Sequence, residues 1–244
     1  GEGVTIHTRD GRKYRGMVIC KSHSVHVFDD ARTAPRDELH MEVILHEDVK
    51  SKEDVMNLGI DHGDVISIDP HFEYTPSGYV VSRYIDDKAA VAALIEMMAY
   101  FKRNNLKPKY RTLLAFPIYE EIGHGGAYVP EEVEEYVALD IGLIGPDYHA
   151  DEKTVSICAK DNYSPYDREL TTRIINQAKK TNLNYCVDVF YRYGTDANAA
   201  IRAGNNVYAA AFGMAVINSH GKERCHIDSI VDTTKLAIAY ALDL

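Results

Sequence analysis

The chain has 244 residues, of which 45% are hydrophobic and 26% are charged, and its formal net charge is −10. That length is enough for one large domain or two smaller ones, each with its own core. The surplus of negative charge disfavours nucleic acid and anionic membranes as partners, and no run approaches the roughly 20 consecutive apolar residues that span a bilayer.

Two further features concern location. Residues 1–16 are too polar for a signal peptide. The four cysteines include no Cys-x-x-Cys pair, which argues against a structural zinc knuckle. Scattered cysteines in a chain of this length are typical of reduced thiols, so we expect a cytoplasmic protein.

Residues 1–72 are predicted to form a small β-rich domain, either a barrel or a sandwich. The Asp10-Gly11 pair between two short β-prone runs is typical of a hairpin. A short helix is predicted at 51–60, with Ser51 as its N-cap and Gly59 as its stop. The predicted strands lie at 4–19, which forms the hairpin, and at 24–28, 41–49 and 64–69.

Residues 73–244 alternate between strand-like and helix-like patterns. Such alternation predicts an α/β domain in which a mixed, mostly parallel sheet is flanked by helices. The predicted strands lie at 78–85, 110–121, 137–145, 185–191 and 207–213. The predicted helices lie at 86–104, 131–136, 168–182, 195–204 and 231–242.

Acidic residues follow three of these predicted strands. They are the Asp86-Asp87 pair, the Glu120-Glu121 pair and Asp140. Functional sites of open α/β sheets lie at the carboxyl ends of strands, so we expect these side chains to converge. Clustered carboxylates repel one another and cations relieve that repulsion, which favours a metal site over a set of helix caps.

The Glu120-Glu121 pair suits hydrolysis at a metal site. Adjacent residues at a strand end point in different directions, so one carboxylate can bind metal while the other takes a proton from water. Glycines follow at once, at 123, 125 and 126, and allow a close backbone approach. Further along, the segment 219–230 offers His220 and His226, and imidazole is a common ligand of zinc-like ions.

Four segments carry a family resemblance: SRYIDDKAAVAALIE (82–96), YEEIGHGGA (119–127), YVALDIG (136–142) and YGTDANAA (193–200). In combination they resemble the dinuclear metallo-aminopeptidases of the tetrahedral (TET) branch, also called glutamyl or deblocking aminopeptidases. Proteins of this branch carry a small PDZ-like β domain inserted into the catalytic domain. Residues 1–72 resemble that insert, including GIDHGD (59–64), which leaves 73–244 as the catalytic domain.

The resemblance implies two divalent metal ions per subunit, Zn²⁺ or Co²⁺ first and Mn²⁺ as an alternative. Asp86 would bridge the ions, Glu121 and His226 would bind one of them, and Asp140 would bind the other. Glu120 would be the general base.

Three more residues gain a role from the resemblance. Asp87 would supply the peptide beside the bridging aspartate without binding metal itself. Thr195 and Asp196 would lie in the wall of the site, where they would contact the ligands or the substrate. The resemblance also implies short peptide substrates and a homo-oligomer formed through the β insert, with a dodecamer as the first expectation.

The chain departs from the family pattern in one respect. The first metal-binding histidine of the family lies in a His-x-Asp motif on a strand before the β insert, whereas this sequence begins inside the insert. The segment His62-Gly63-Asp64 matches the His-x-Asp pattern but lies at a turn of the insert-like region, so we do not count His62 as a metal ligand. We therefore expect the sequence to be a fragment whose catalytic domain is incomplete on its N-terminal side.

Two other functions stay open. One is a related dinuclear-metal deacylase or carboxypeptidase-like hydrolase, against which the PDZ-like region argues. The other is a catalytically inactive homologue retained for assembly, which the missing histidine would explain. Side-chain specificity is open as well, because it resides in loops whose position the sequence does not fix.

Overall fold

The structure is a computed structural model that describes residues 1–244 and divides into two compact units, Gly1–Pro70 and His71–Leu244. The elements of the first unit are β1 (Gly3–His7), β2 (Lys13–Cys20), β3 (Met41–Leu45), α1 (Lys52–Asn57) and β4 (Val65–Ile68). The four strands form one antiparallel sheet in the order β3-β2-β1-β4. The sheet stays open at β3 and β4, so the closed barrel considered from the sequence is not found.

Local sequence signals explain most of the first unit. The hairpin of β1 and β2 turns at Gly11, which has a positive φ of 87°. Ser51 caps α1 by accepting a hydrogen bond from the Asp54 amide, as the sequence predicts. The strand predicted at 24–28 is wrong, because the Ser24 carbonyl accepts hydrogen bonds from the amides of Val27 and Phe28 and the segment forms a turn.

The second unit contains eight strands, four α-helices and one short 3₁₀ turn. Its strands are β5 (Glu73–Tyr74), β6 (Tyr79–Ser82), β7 (Glu135–Leu139), β8 (Gly142–Leu143), β9 (Val155–Lys160), β10 (Tyr185–Val189), β11 (Tyr208–Val216) and β12 (Glu223–His226). Its helices are α2 (Ile85–Arg103), α3 (Arg168–Lys180), α4 (Asp196–Arg202) and α5 (Ile227–Leu242), and the 3₁₀ turn is Glu120–Ile122.

The main sheet of this unit is mixed and mostly parallel, which confirms the α/β architecture predicted from the sequence. Its order is β10-β9-β11-β7, and β8 pairs with the end of β11. Only the pair of β9 and β11 is antiparallel. A separate sheet of three antiparallel strands has the order β12-β6-β5.

The core of the second unit lies between the main sheet and the helices α2, α3 and α5. Ile174 of α3 and Leu236 of α5 are fully buried there against Ile157 and Phe212 of the sheet. The apolar residues of these helices recur at helical spacing, so each helix presents one buried stripe. No helix of the molecule combines the length and the apolar character that a bilayer span requires.

Several elements of the second unit differ from the sequence prediction, and the short strands β5 and β12 were not predicted. The predicted strand at 110–121 does not form, and most of its side chains are exposed, Ile118 to 91%. The predicted helix at 131–136 is wrong, because β7 begins at Glu135 and pairs with β11. Strand β9, which occupies the middle of the main sheet, was not predicted.

The core position of Ile174 gives a stability prediction. Replacing Ile174 with Ala should lower the free energy of unfolding by about 2–5 kcal/mol, because it removes buried apolar surface and leaves a cavity. The matched control is Ile95→Ala on α2, where the side chain is 53% exposed and the change should stay within about 0.5 kcal/mol. Urea unfolding measures both, and equal losses would contradict the assignment of the core.

Candidate active site

A cavity of about 480 Å³ in the second unit collects most of the acidic residues singled out in the sequence. Its wall includes the side chains of Asp86, Glu120, Glu121 and Asp140, together with His220. Four carboxylates and an imidazole around one cavity are a donor set that suits divalent cations.

Two groups of side chains offer ligand atoms that all lie within 4.8 Å of one another. The first is Asp86, Glu121 and His220, and the second is Asp86, Asp87 and Asp140, so that Asp86 belongs to both. In the first group His220 Nε2 lies 3.6 Å from Asp86 Oδ2 and 3.9 Å from Glu121 Oε2. Two atoms that each lie about 2.0–2.2 Å from one ion are at most about 4.4 Å apart, so these distances suit a shared cation.

These acids reach the cavity from three kinds of element. Asp140 directly follows β7, as expected for a site at strand ends. Asp86 lies in the first turn of α2, after a strand of the separate three-stranded sheet, and the peptide bond between Asp86 and Asp87 is cis. Glu120 and Glu121 lie on the 3₁₀ turn. The expected convergence therefore occurs, but the expected reason, three equivalent strand ends, applies to Asp140 alone.

Glu223 connects the backbones of Asp86 and His220, two members of the first ligand group. Its side chain is buried, with 1% exposure, and its Oε2 accepts a hydrogen bond of 3.0 Å from the Asp86 amide. Its Oε1 accepts one of the same length from the His220 amide. A single carboxylate thus fixes the backbone of both candidate ligands.

The aspartates of the cavity are held in an environment that disfavours their charge. Burial, with further contributions from Glu121 and Glu223, raises the pKa of Asp86 to about 7. Burial and the neighbouring carboxylates also raise the pKa values of Asp87 and Asp140 well above their ordinary range. Such a cluster favours either bound protons or bound cations.

Glu120 has the environment of a general base. It lines the cavity and is half-buried. Burial raises its pKa to about 7, and the charges of Asp196, Glu121 and Asp86 contribute in the same direction. A carboxylate with a pKa near neutrality can both take and return a proton.

Asp196 and two glycines support the turn that carries Glu120. Asp196 is buried at the start of α4, and the amides of Gly125 and Gly126 lower its pKa against the larger, opposite effect of burial. A methyl group at Gly125 would collide with the Asp196 carboxylate, and one at Gly126 would lie 2.6 Å from the Ala200 nitrogen. The glycines therefore permit a close approach between the turn and α4.

Thr195 has a structural position beside Asp196. Its hydroxyl caps α4 by accepting a hydrogen bond from the Ala197 amide and lies 2.7 Å from the Tyr166 hydroxyl. The residue is buried, yet it lines the cavity. Thr195 therefore lies in the cavity wall, where the resemblance places it, whereas Asp196 is not among the residues that line the cavity.

His226, which the sequence resemblance assigned as the last metal ligand, is in neither ligand group. Its Nε2 lies 2.9 Å from the Ser77 carbonyl oxygen, and its Nδ1 accepts a hydrogen bond from the Asp228 amide. The ring caps α5 and packs edge-on against Tyr79. Both ring nitrogens are thus engaged within the chain, while His220 is the imidazole that lies beside Asp86 and Glu121. Which of the two histidines binds metal stays a prediction.

Comparison with known proteins places this chain in a family. The model of the family described as M42 glutamyl aminopeptidase matches residues 1–236. The chain belongs to this family. A curated relative, "Putative aminopeptidase YhfE" of Bacillus subtilis (strain 168), is 39% identical over 241 residues, which are 98% of this chain and 70% of the relative.

Solved structures share the fold of this M42 chain at low sequence identity. A TET aminopeptidase from the marine sediment archaeon Thaumarchaeota archaeon SCGC AB-539-E09 matches with a TM-score of 0.83 at 16% identity, over 100% of this chain and 70% of that one. The TET1 peptidase of Pyrococcus horikoshii matches with a TM-score of 0.79 at 23% identity, over 100% of this chain and 72% of that one. These matches show the fold alone.

Two residues of this cavity region carry only partial sequence signals. His220 and His226 are both candidate ligands in the sequence, and no feature of the segment favours His220. Glu223 was not singled out, although it follows His220 by three residues within SHGKE, a spacing that a tight turn can bring together. The positive φ of His220, 62°, reflects that turn.

The close approach at Gly126 gives a second prediction. Gly126→Ala should lower the free energy of unfolding by about 1–3 kcal/mol, because the added methyl group has no room against α4. His124→Ala, an exposed residue of the same turn, is the control and should change stability by less than about 0.5 kcal/mol. Chemical denaturation compares the two, and an unaffected Gly126→Ala protein would contradict the packing of the turn on α4.

Proposed function

We propose that this chain catalyses the removal of N-terminal residues from short peptides at a site for two divalent metal ions, with Glu120 as the general base. The observation that carries the proposal is the pair of ligand groups that share Asp86 on the wall of one cavity. Membership of the M42 aminopeptidase family supports the reaction class.

The residues present fit a pair of cations. The two ligand groups supply carboxylates and one imidazole, which accept Zn²⁺, Co²⁺ or Mn²⁺. In the second group Asp87 Oδ1 is buried without a hydrogen-bond partner, an arrangement that a cation would satisfy. We assign Asp86 as a ligand of both ions. Glu121 and His220 would hold the first ion, and Asp140 would hold the second ion, with Asp87 next to Asp140.

Divalent ions at this position would lower the pKa of a water molecule and stabilise negative charge on the scissile carbonyl oxygen. The protein contributes the proton transfers. Glu120 takes a proton from the water that attacks the carbonyl carbon, and it then delivers this proton to the amine that leaves. The substrate α-amino group would bind on the Glu121 side. Thr195 lies in the cavity wall, and Asp196 supports the turn that carries Glu120.

Assembly and location are part of the proposal. The Pyrococcus horikoshii relative can, by its description, assemble into a tetrahedron or a large octahedral shell. We extend self-association to this chain, with a dodecamer as the first expectation and the PDZ-like interpretation of residues 1–72 as its basis. The four cysteines are free, which supports a reducing, cytoplasmic environment.

Glu120→Gln tests the reaction. The change removes the proton acceptor while keeping the shape of the side chain, so kcat should fall by about 10²–10⁴-fold while metal content stays at about two ions per chain. Hydrolysis of aminoacyl-anilides measures the rate, and elemental analysis measures the metal. Wild-type turnover in the variant would refute the role of Glu120. If the wild-type protein hydrolyses N-acyl amino acids faster than aminoacyl-anilides, the result would favour a deacylase. Absence of bound metal would favour an inactive homologue.

The choice between the two histidines gives a separate prediction. His220→Gln should weaken Zn²⁺ binding at one of the two sites by about tenfold or more, since it removes a ligand. His226→Gln should leave the affinity within about twofold and instead lower thermal stability, because it perturbs the cap of α5. Titration calorimetry and thermal unfolding separate the two effects. The reverse pattern would restore His226 as the ligand.

A further inference from the structure

The first unit contains an apolar groove of about 260 Å³ that the candidate active site does not use. Seven aliphatic side chains line it, some from one face of the four-stranded sheet and the others from α1 and the residues on either side of it. They are Ile6, Val43, Leu45 and Ile66 of the sheet, and Val49, Val55 and Ile60. Since a cavity of about 150 Å³ holds a benzene molecule, this groove has room for at least one large aliphatic side chain.

The groove is open to solvent. Five of its seven aliphatic side chains are only half-buried. Ile66 is 47% exposed, although it lies directly opposite the buried Ile6 on the apolar face of the sheet. Covering such a surface with an apolar group is favourable, because it removes aliphatic area from water.

Strand β3 borders the groove and is a free edge of the sheet. The His46 amide donates to the Arg15 carbonyl oxygen, and the His40 carbonyl oxygen accepts from the Lys21 amide, so the even-numbered residues of β3 bond to β2. Because bonding alternates along an antiparallel strand, the amides and carbonyls of Val43 and Leu45 point to the open side. No other main-chain group bonds to them.

Val43 and Leu45 therefore offer two kinds of contact at one place. Their side chains line the groove, and their backbone groups are free at the edge beside it. This combination suits an extended peptide, which can add to an exposed sheet edge as a further strand while its alternate side chains enter a pocket.

The rim of the groove is acidic. Asp61 and Asp64 both line it. The segment 42–64, which leads from β3 through α1 towards β4, contains seven acidic residues and only two lysines. Such a rim attracts a cationic ligand and repels an anionic one. A second copy of this chain, with its net charge of −10, is therefore disfavoured as the occupant, whereas a basic peptide is favoured.

We propose that the groove beside β3 binds a free basic peptide in an extended conformation. The peptide adds to β3 as a new edge strand, places an aliphatic side chain in the groove and directs its lysines or arginines to the acidic rim. Apolar lining, free backbone groups and charge each contribute one part of this recognition. All the residues involved belong to the first unit, so the proposal does not depend on the catalytic function proposed for the second.

The probe that tests this proposal is fluorescein-labelled acetyl-Lys-Val-Lys-Leu-Lys-Val-amide, titrated with the full protein by fluorescence anisotropy. Its alternation places the aliphatic side chains on one face of the strand. Its acetyl group removes the free amine that an aminopeptidase requires, so the probe stays intact whether or not the protein is active. Replacing its lysines with glutamate, or its valines and leucine with serine, should raise Kd by about tenfold or more.

A protein variant locates the binding on the molecule. Asp61→Lys should raise the Kd of the lysine probe by about tenfold, because it reverses a charge on the rim. Asp147→Lys, at an exposed position of the second unit, is the matched control and should change Kd by less than about twofold. Equal effects of the two variants would place the binding elsewhere and overturn the proposal.

Backbone pairing is tested on the wild-type protein, without any risk to its folding. Two further probes carry N-methyl groups, one on the three lysines and the other on the valines and leucine. In a paired strand only alternate amides face the partner, so one of these probes should lose about tenfold in affinity and the other less than about twofold. Loss in the aliphatic set indicates an antiparallel strand, and loss in the lysine set a parallel one.

Three results would overturn the proposal. One is a lysine probe that does not bind below about 1 mM, and another is equal affinity of the two N-methylated probes. The third comes from sedimentation of the protein with and without saturating probe. If the probe dissociates an assembly of the chain, the groove belongs to a second copy and not to a free peptide.

Discussion

The buried carboxylate of Glu223 is the contact on which the candidate metal centre depends. It accepts the amides of Asp86 and His220, so it joins the start of α2 to the loop before β12. The register of the small sheet sets this contact, since Glu223 of β12 lies opposite Ser82 of β6, four residues before Asp86. A shift of one residue in that pairing would turn the Glu223 side chain to the other face and separate the two ligands.

The same cluster carries an electrostatic penalty in the absence of cations. Carboxyl groups whose pKa is higher in the folded than in the unfolded chain destabilise the fold at any pH above their unfolded pKa. Asp86, Asp87 and Asp140 are all in this situation. The fold therefore holds these acids together against their repulsion through packing and hydrogen bonds elsewhere, which is what a preformed cation site requires.

Sequence reasoning was most successful where one local pattern determines one element. The helices α2, α3 and α5 and the cap at Ser51 are confirmed because helical patterns and capping act within a few residues. It failed at 110–121, where an apolar run needs a strand partner that only tertiary structure supplies, and at β9, whose place depends on the distant β10 and β11. The acidic residues that line the cavity were indicated by their positions after predicted strands. The position of His220 beside Asp86 and Glu121 was not, because it depends on the turn at 218–221 and on which imidazole is engaged as a helix cap.

Helix α4 connects the turn that carries Glu120 to the wall of the cavity. At its start, Asp196 packs against Gly125 and Gly126, next to the turn that presents Glu120. Along its exposed face, Ala199 and Arg202 line the cavity. The buried face holds the helix against the sheet, so neither end can move without the other. The separation between Glu120 and Arg202 is therefore set by one rigid element rather than by flexible loops.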